Sequence, residues 1–145
     1  MVAIFFIDLE HQIIPDELVA LGILGALGTF PISSFPLLAS NLLSATGASF
    51  FFLFLYLITK GRGMGLGDVK LVFLMGLVLG FPKIVGSLYL AFLTGAVVGV
   101  ILIISKKKKF GQKVAFGPFL VAGFLTFLFF GEEIIKWMDL LKLKY

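Results

Sequence analysis

The 145-residue chain is 60% hydrophobic, 15% aromatic and only 14% charged, with a mean hydropathy of +1.14. Soluble domains run about 45–50% apolar and about 25% charged, so an aqueous fold has too little interior for these Leu, Phe and Ile side chains, and the charge deficit excludes disorder. The absence of cysteine removes any disulfide framework, thiolate metal site or cysteine nucleophile. The composition defines an integral membrane protein.

A helix needs about 20 apolar residues to cross the hydrocarbon core, fewer where its ends are polar. Met1–Ile7 is an apolar stub, read as the last turns of a helix whose beginning is missing. Leu18–Phe30 follows, then a Pro-containing turn through Pro31 and Pro36, and Leu37–Thr59. The polar Lys60–Asp68 stretch separates these from Val69–Gly80; a Phe81-Pro82-Lys83 turn leads to Ile84–Ile104. Ser105–Lys113 is basic, Val114–Phe130 is apolar, and Gly131–Tyr145 is mixed. Within the last segment Ile134, Ile135, Trp137, Met138 and Leu141 alternate with Lys136, Asp139 and Lys142, a pattern suited to a helix on the membrane surface. The expected fold is all-α, a polytopic transmembrane bundle of about six helices with the first truncated. It forms one domain over residues 1–145 with an amphipathic tail at 131–145. Gly76-x-x-x-Gly80 and Gly95-x-x-x-Gly99 place glycines on helix faces where backbones approach closely; packing within the bundle is the first reading, a homodimer the second.

With alternating spans, one side carries Lys60, Arg62, Lys70, Lys106–Lys109 and Lys113, the other Lys83, Lys136, Lys142 and Lys144. The excess places Asp8, Asp68 and the lysine run on the cytoplasmic side. The run is an orientation signal that also suits anionic lipid headgroups. Despite the net charge of +4, no aromatic interleaving or motif supports nucleic-acid binding.

The acids are few. Glu132, Glu133 and Asp139 read as solvated tail charges, and Asp16 and Glu17 as first-turn residues after the helix-stopping Pro15, with Asp16 placed to cap. His11, near Asp8 and Glu10, reads as a polar loop contact rather than a metal ligand, and no metal or cofactor is expected. Asp68 opens an apolar helix, where it would serve as N-cap. Capping alone does not need Gly63, Gly65 and Gly67 before it; such glycines suit backbone that passes close to another chain, such as a peptide substrate. Asp8 ends an apolar run, where its charge opposes the helix dipole. Ionisable groups at the membrane edge are costly and tend to be functional. If Asp8 and Asp68 meet, one holds its proton while the other stays charged. Such a pair can activate water and protonate a carbonyl or leaving amine, the chemistry of an aspartyl protease.

At these residues the sequence resembles the type IV prepilin peptidases, membrane aspartyl proteases of the GxGD class. Asp8 with Pro15-Asp16 matches the first aspartate element, Gly65-Leu66-Gly67-Asp68-Val69-Lys70 the second, and Phe116-Gly117-Pro118 the segment that opens the last helix. The resemblance implies six core helices and a catalytic pair of Asp8 and Asp68. It also implies substrate-binding or loop-shaping roles for Gly65, Gly67, Lys70, Pro15 and Asp16. It implies prepilin or pseudopilin substrates, which lose a short basic leader after a glycine on the cytoplasmic face. Many bacterial relatives carry an N-terminal CxxC region and methylate the new N-terminus with S-adenosylmethionine; this chain has neither that region nor cysteine. The alternatives are a presenilin-type GxGD protease, an inactive truncated peptidase, and a transporter or assembly subunit whose carboxylates carry ions.

Overall fold

The computed structural model describes residues 1–11, 13–29, 35–61, 64–105 and 116–142. The Phe30–Pro31 turn, Arg62, Gly63 and the Lys106–Lys109 run on which the orientation reading rests lie outside the described residues. Every regular element among the described residues is a helix: α1 Val2–His11, α2 Asp16–Gly28, α3 Phe35–Thr59, α4 Leu66–Leu79, α5 Lys83–Ile104 and α6 Gly117–Lys142. Stretches Phe35–Thr59, Lys83–Leu102 and Gly117–Trp137 are long and apolar enough to span a membrane. The polytopic all-α expectation holds. Two boundaries differ from the hydropathy reading. Helix α1 runs through Glu10 to His11, because no helix-breaking residue intervenes before Pro15. Helix α6 continues unbroken through the stretch read as a surface helix, since Gly131 is compatible with helical backbone and nothing else interrupts it.

Helix α4 is the hub. It touches α2, α3, α5 and α6, and Leu71, Val72, Met75 and Leu77 are fully enclosed. It runs antiparallel to α3: Ser49 donates to the Val69 carbonyl at 3.0 Å, and Asn41, near the other end of the contact, donates to the Leu77 carbonyl at 2.9 Å. At 14 residues, α4 rises only about 21 Å, and the carbonyls of its last turn need partners where water is scarce. Buried Asn41 supplies one of them. Gly80 then turns the chain with φ +64, a conformation that favours glycine.

Glycines set the helix spacings. A Cβ added at Gly76 would sit 2.5 Å from the Ala45 Cα of α3, and a backbone atom cannot yield without separating the helices. Gly76→Ala is therefore expected to lower stability by about 1–3 kcal/mol, measured by thermal unfolding in detergent; an unchanged midpoint would mean that the seam is loose. Of the expected glycine pairs, Gly76 packs within the bundle while Gly80 ends its helix. Gly95 lies against Phe116 and Phe119, whereas Gly99 meets nothing within 4 Å.

Helices α5 and α6 run antiparallel in close contact, with Lys83 paired to Glu132 at 3.3 Å and Gly123 against the backbone of Ser87. Phe52, Phe92, Phe116 and Phe119 form an aromatic cluster with neighbouring ring centroids 5.2–6.3 Å apart. Because Phe116 immediately precedes α6, this cluster anchors that helix's first turn.

Candidate active site

Asp8 and Asp68 are the two buried carboxylates, 4% and 6% exposed. Asp8 lies in the last turns of α1, which packs on α6. Helix α6 begins where the aromatic cluster fixes Phe116, and that start brings Gly117 against Asp8: a Cβ at Gly117 would fall on Oδ2 and 2.9 Å from Cγ. The Gly117 backbone N–H faces the Asp8 carboxyl, while Oδ2 is buried without a hydrogen-bond partner. The positive end of the α6 dipole is thus directed at this acid.

The capping reading of Asp68, the lesser of its two readings, would put it at the N-cap. Gly65 holds that position instead, and Asp68 is the third residue of the helix. Its Oδ2 accepts the Gly65 N–H at 2.9 Å, which is the one half of a capping box that a glycine N-cap permits. Capping and burial therefore coexist in one side chain.

Three effects act on these acids. Burial disfavours the charged form and is the largest on both, raising each above the ordinary carboxylate value. The Gly117 and Gly65 amides oppose that rise. The charge of Asp8 adds to the rise at Asp68, which reaches about 6. Two residues sixty positions apart in the chain are therefore close enough for one to alter the ionisation of the other. They titrate as a pair, with Asp68 the better holder of a proton.

The remaining sequence-predicted residues surround the pair in different ways. Pro15 is the N-cap of α2 with extended backbone. Asp16 and Glu17 lie in the first turn of α2 as read, but Asp16 makes no capping hydrogen bond; its carboxylate reaches across to Lys70 of α4, with Nζ at 2.6 Å from Oδ2. Gly67 makes room for buried Ile14, whose Cβ would be 2.9 Å from a Cβ placed there, so the space opened by this glycine is filled by the chain itself. At Gly65 an added Cβ meets nothing closer than 3.7 Å and φ is −89; nothing in the structure explains glycine there. His11 is the last residue of α1 rather than a loop residue, exposed and 3.9 Å from Glu10. Gly117 is the residue that the sequence reading did not include among the site residues, although the Phe116-Gly117-Pro118 element was its signal.

The chain is thus a polytopic helix bundle with two buried acids, Asp8 and Asp68, near the ends of different helices. The chain belongs to the type IV leader peptidase family, whose model matches residues 1–100. It is 35% identical to the prepilin leader peptidase/N-methyltransferase of Legionella pneumophila over 143 residues, covering 94% of this chain and 49% of that protein. It is 34% identical to the Pseudomonas aeruginosa protein of the same name, covering 94% and 48%, and 36% identical to that of Dichelobacter nodosus, covering 92% and 47%. The chain thus spans about half the length of the curated relatives it matches. No solved structure matches it.

Proposed function

We propose that this chain is an aspartyl endopeptidase that removes the short basic leader of prepilins or pseudopilins at the cytoplasmic face of a bacterial inner membrane. The observation that carries the reading is the pair itself: two enclosed carboxyls, Asp8 and Asp68, in a family whose relatives are named leader peptidases. Asp8 is the charged member and takes a proton from the attacking water; its Oδ2 is buried and makes no hydrogen bond within the protein. Asp68, which holds its proton more tightly, donates to the scissile carbonyl oxygen and so stabilises the charge that develops there. Collapse of the tetrahedral intermediate breaks the C–N bond: Asp8 passes the proton it took from water to the leaving amine, while a hydroxyl of the diol gives its proton back to Asp68 as the new carboxyl forms, so the acids again share one proton. The apolar helices beside the site suit a substrate whose cleavage point adjoins its own apolar helix.

The test uses the full chain in detergent with a synthetic peptide made of a basic leader, a glycine and an apolar helical segment, the products being mapped by mass. Cleavage is expected after the glycine and is expected to vanish in Asp8→Asn, a nearly isosteric change that removes the base. Cutting at wild-type rate by that variant overturns the assignment of Asp8. Cutting within the apolar segment favours the presenilin-type alternative instead.

A further inference from the structure

Helices α2 and α4 run parallel and begin at the same end of the bundle, as the Asp16–Lys70 and Gly22–Leu74 contacts require. Beside them and α3 lies an open, largely apolar groove of about 450 Å³ lined by Val19, Ile23, Ser49, Val69 and Phe73, with Asp16 and Lys70 also on its wall. Along this stretch α2 and α4 meet closely at Gly22, where an added Cβ would lie 2.6 Å from a Leu74 methyl. At the end nearest the two acids, two further contacts join these segments: Ile14 against Gly67, and the ion pair.

Both contacts tie the segment leaving α1 to the first turns of α4. Ile14 and Asp16 follow Asp8 by six and eight residues, and Lys70 follows Asp68 by two. On α4 Lys70 lies about 200° around the helix from Asp68, so it acts on Asp68 through the backbone and not by touching it. We propose that Asp16 and Lys70 are positioning residues: their ion pair fixes the rotation and height of α4 against the α1–α2 connection and so aligns Asp68 with Asp8. The inference rests on the peptidase reading for its catalytic consequence but not for its geometry.

Both partners are at least half exposed, and such pairs contribute at most about 1 kcal/mol to stability. A small displacement of a catalytic group can nevertheless cost about 100-fold in rate. The pair thus affects alignment more than folding.

The experiment compares the full wild-type chain with Lys70→Gln, Asp16→Asn and the charge-reversed double variant Asp16→Lys/Lys70→Asp. Each single change is expected to lower kcat roughly tenfold with KM and the thermal midpoint nearly unchanged, and the reversal is expected to recover most of the loss. A carboxyl-carbon NMR titration of Asp8 and Asp68 in detergent supplies a readout independent of substrate. Their mutual coupling is expected to weaken in both single variants and to return in the reversed one. A loss carried by KM would mean that these charges bind the substrate, and overturns the proposal. So does a loss that tracks the thermal midpoint, or a reversal that recovers neither rate nor coupling. Should the wild-type chain cut no peptide, the peptidase reading fails, and the titration alone decides the positioning role.

Discussion

Asp68→Asn is expected to silence peptide cleavage and, in the same protein, to raise the thermal stability at pH 7. The two effects share one cause. Asp68 is 6% exposed, and burial together with the Asp8 charge lifts its pKa from 3.8 to about 6. A carboxyl that binds its proton more tightly when folded contributes stability that is complete below the unfolded value and fades as the pH rises through the folded one. Above pH 6 the folded chain therefore encloses a charge that the unfolded chain would solvate. Asparagine keeps the shape and an oxygen acceptor for the Gly65 N–H without that charge, which is worth roughly 1–3 kcal/mol at pH 7. It cannot supply the shared proton, so cleavage falls by roughly three orders of magnitude or more. Thermal unfolding in detergent at pH 4 and pH 7 checks the first effect: wild type and variant converge at the lower pH and separate at the higher. Equal midpoints at both values mean that the site does not hold this acid protonated. Cleavage within tenfold of wild type removes Asp68 from the chemistry.

Gly117→Ala is expected to cost about 100-fold in cleavage and about 1–2 kcal/mol in stability. The added methyl carbon would fall on Asp8 Oδ2, with Cγ only 2.9 Å away. Asp8 is short and enclosed, so it has no long flexible end to swing aside; either its carboxyl turns away from Asp68 or the start of α6 moves out. The second option is opposed by Phe116, whose ring is held 5.2 Å from that of Phe92. The matched control is Gly99→Ala in α5, where nothing lies within 4 Å and alanine favours the helix; activity there is expected to stay at the wild-type level. A Gly117→Ala variant with wild-type turnover would show that Asp8 tolerates displacement and that the contact carries no catalytic consequence.

Much of this architecture is written locally. Apolar runs broken by Pro, Gly and charge announce helices one after another, because the cost of placing polar groups in hydrocarbon is assessed residue by residue. The acids stand out for the same reason: few charges occur in so apolar a chain, and Asp8 and Asp68 each border an apolar run. Family membership also shows in short stretches, Pro15-Asp16 and Gly65-Leu66-Gly67-Asp68 among them. Helix ends were less legible. Hydropathy ends α1 at Ile7 and α6 near Phe130, although the absence of a breaker lets both helices run on to His11 and Lys142; that Gly65 rather than Asp68 is the N-cap depends on which backbone amides find partners.

What the amino-acid sequence determined by itself is the solvent this protein folds in, the order of its helices, and the two acids that such a solvent makes conspicuous. Only the tertiary structure decided who stands beside them. Gly117 reaches Asp8 from more than a hundred residues away, Ile14 fills the space left by Gly67, and Asp16 turns from a cap into the partner of Lys70. The physical reason is range: transfer free energy and helix propensity act within a few residues, whereas burial, charge coupling and close backbone approach exist only once distant helices are packed.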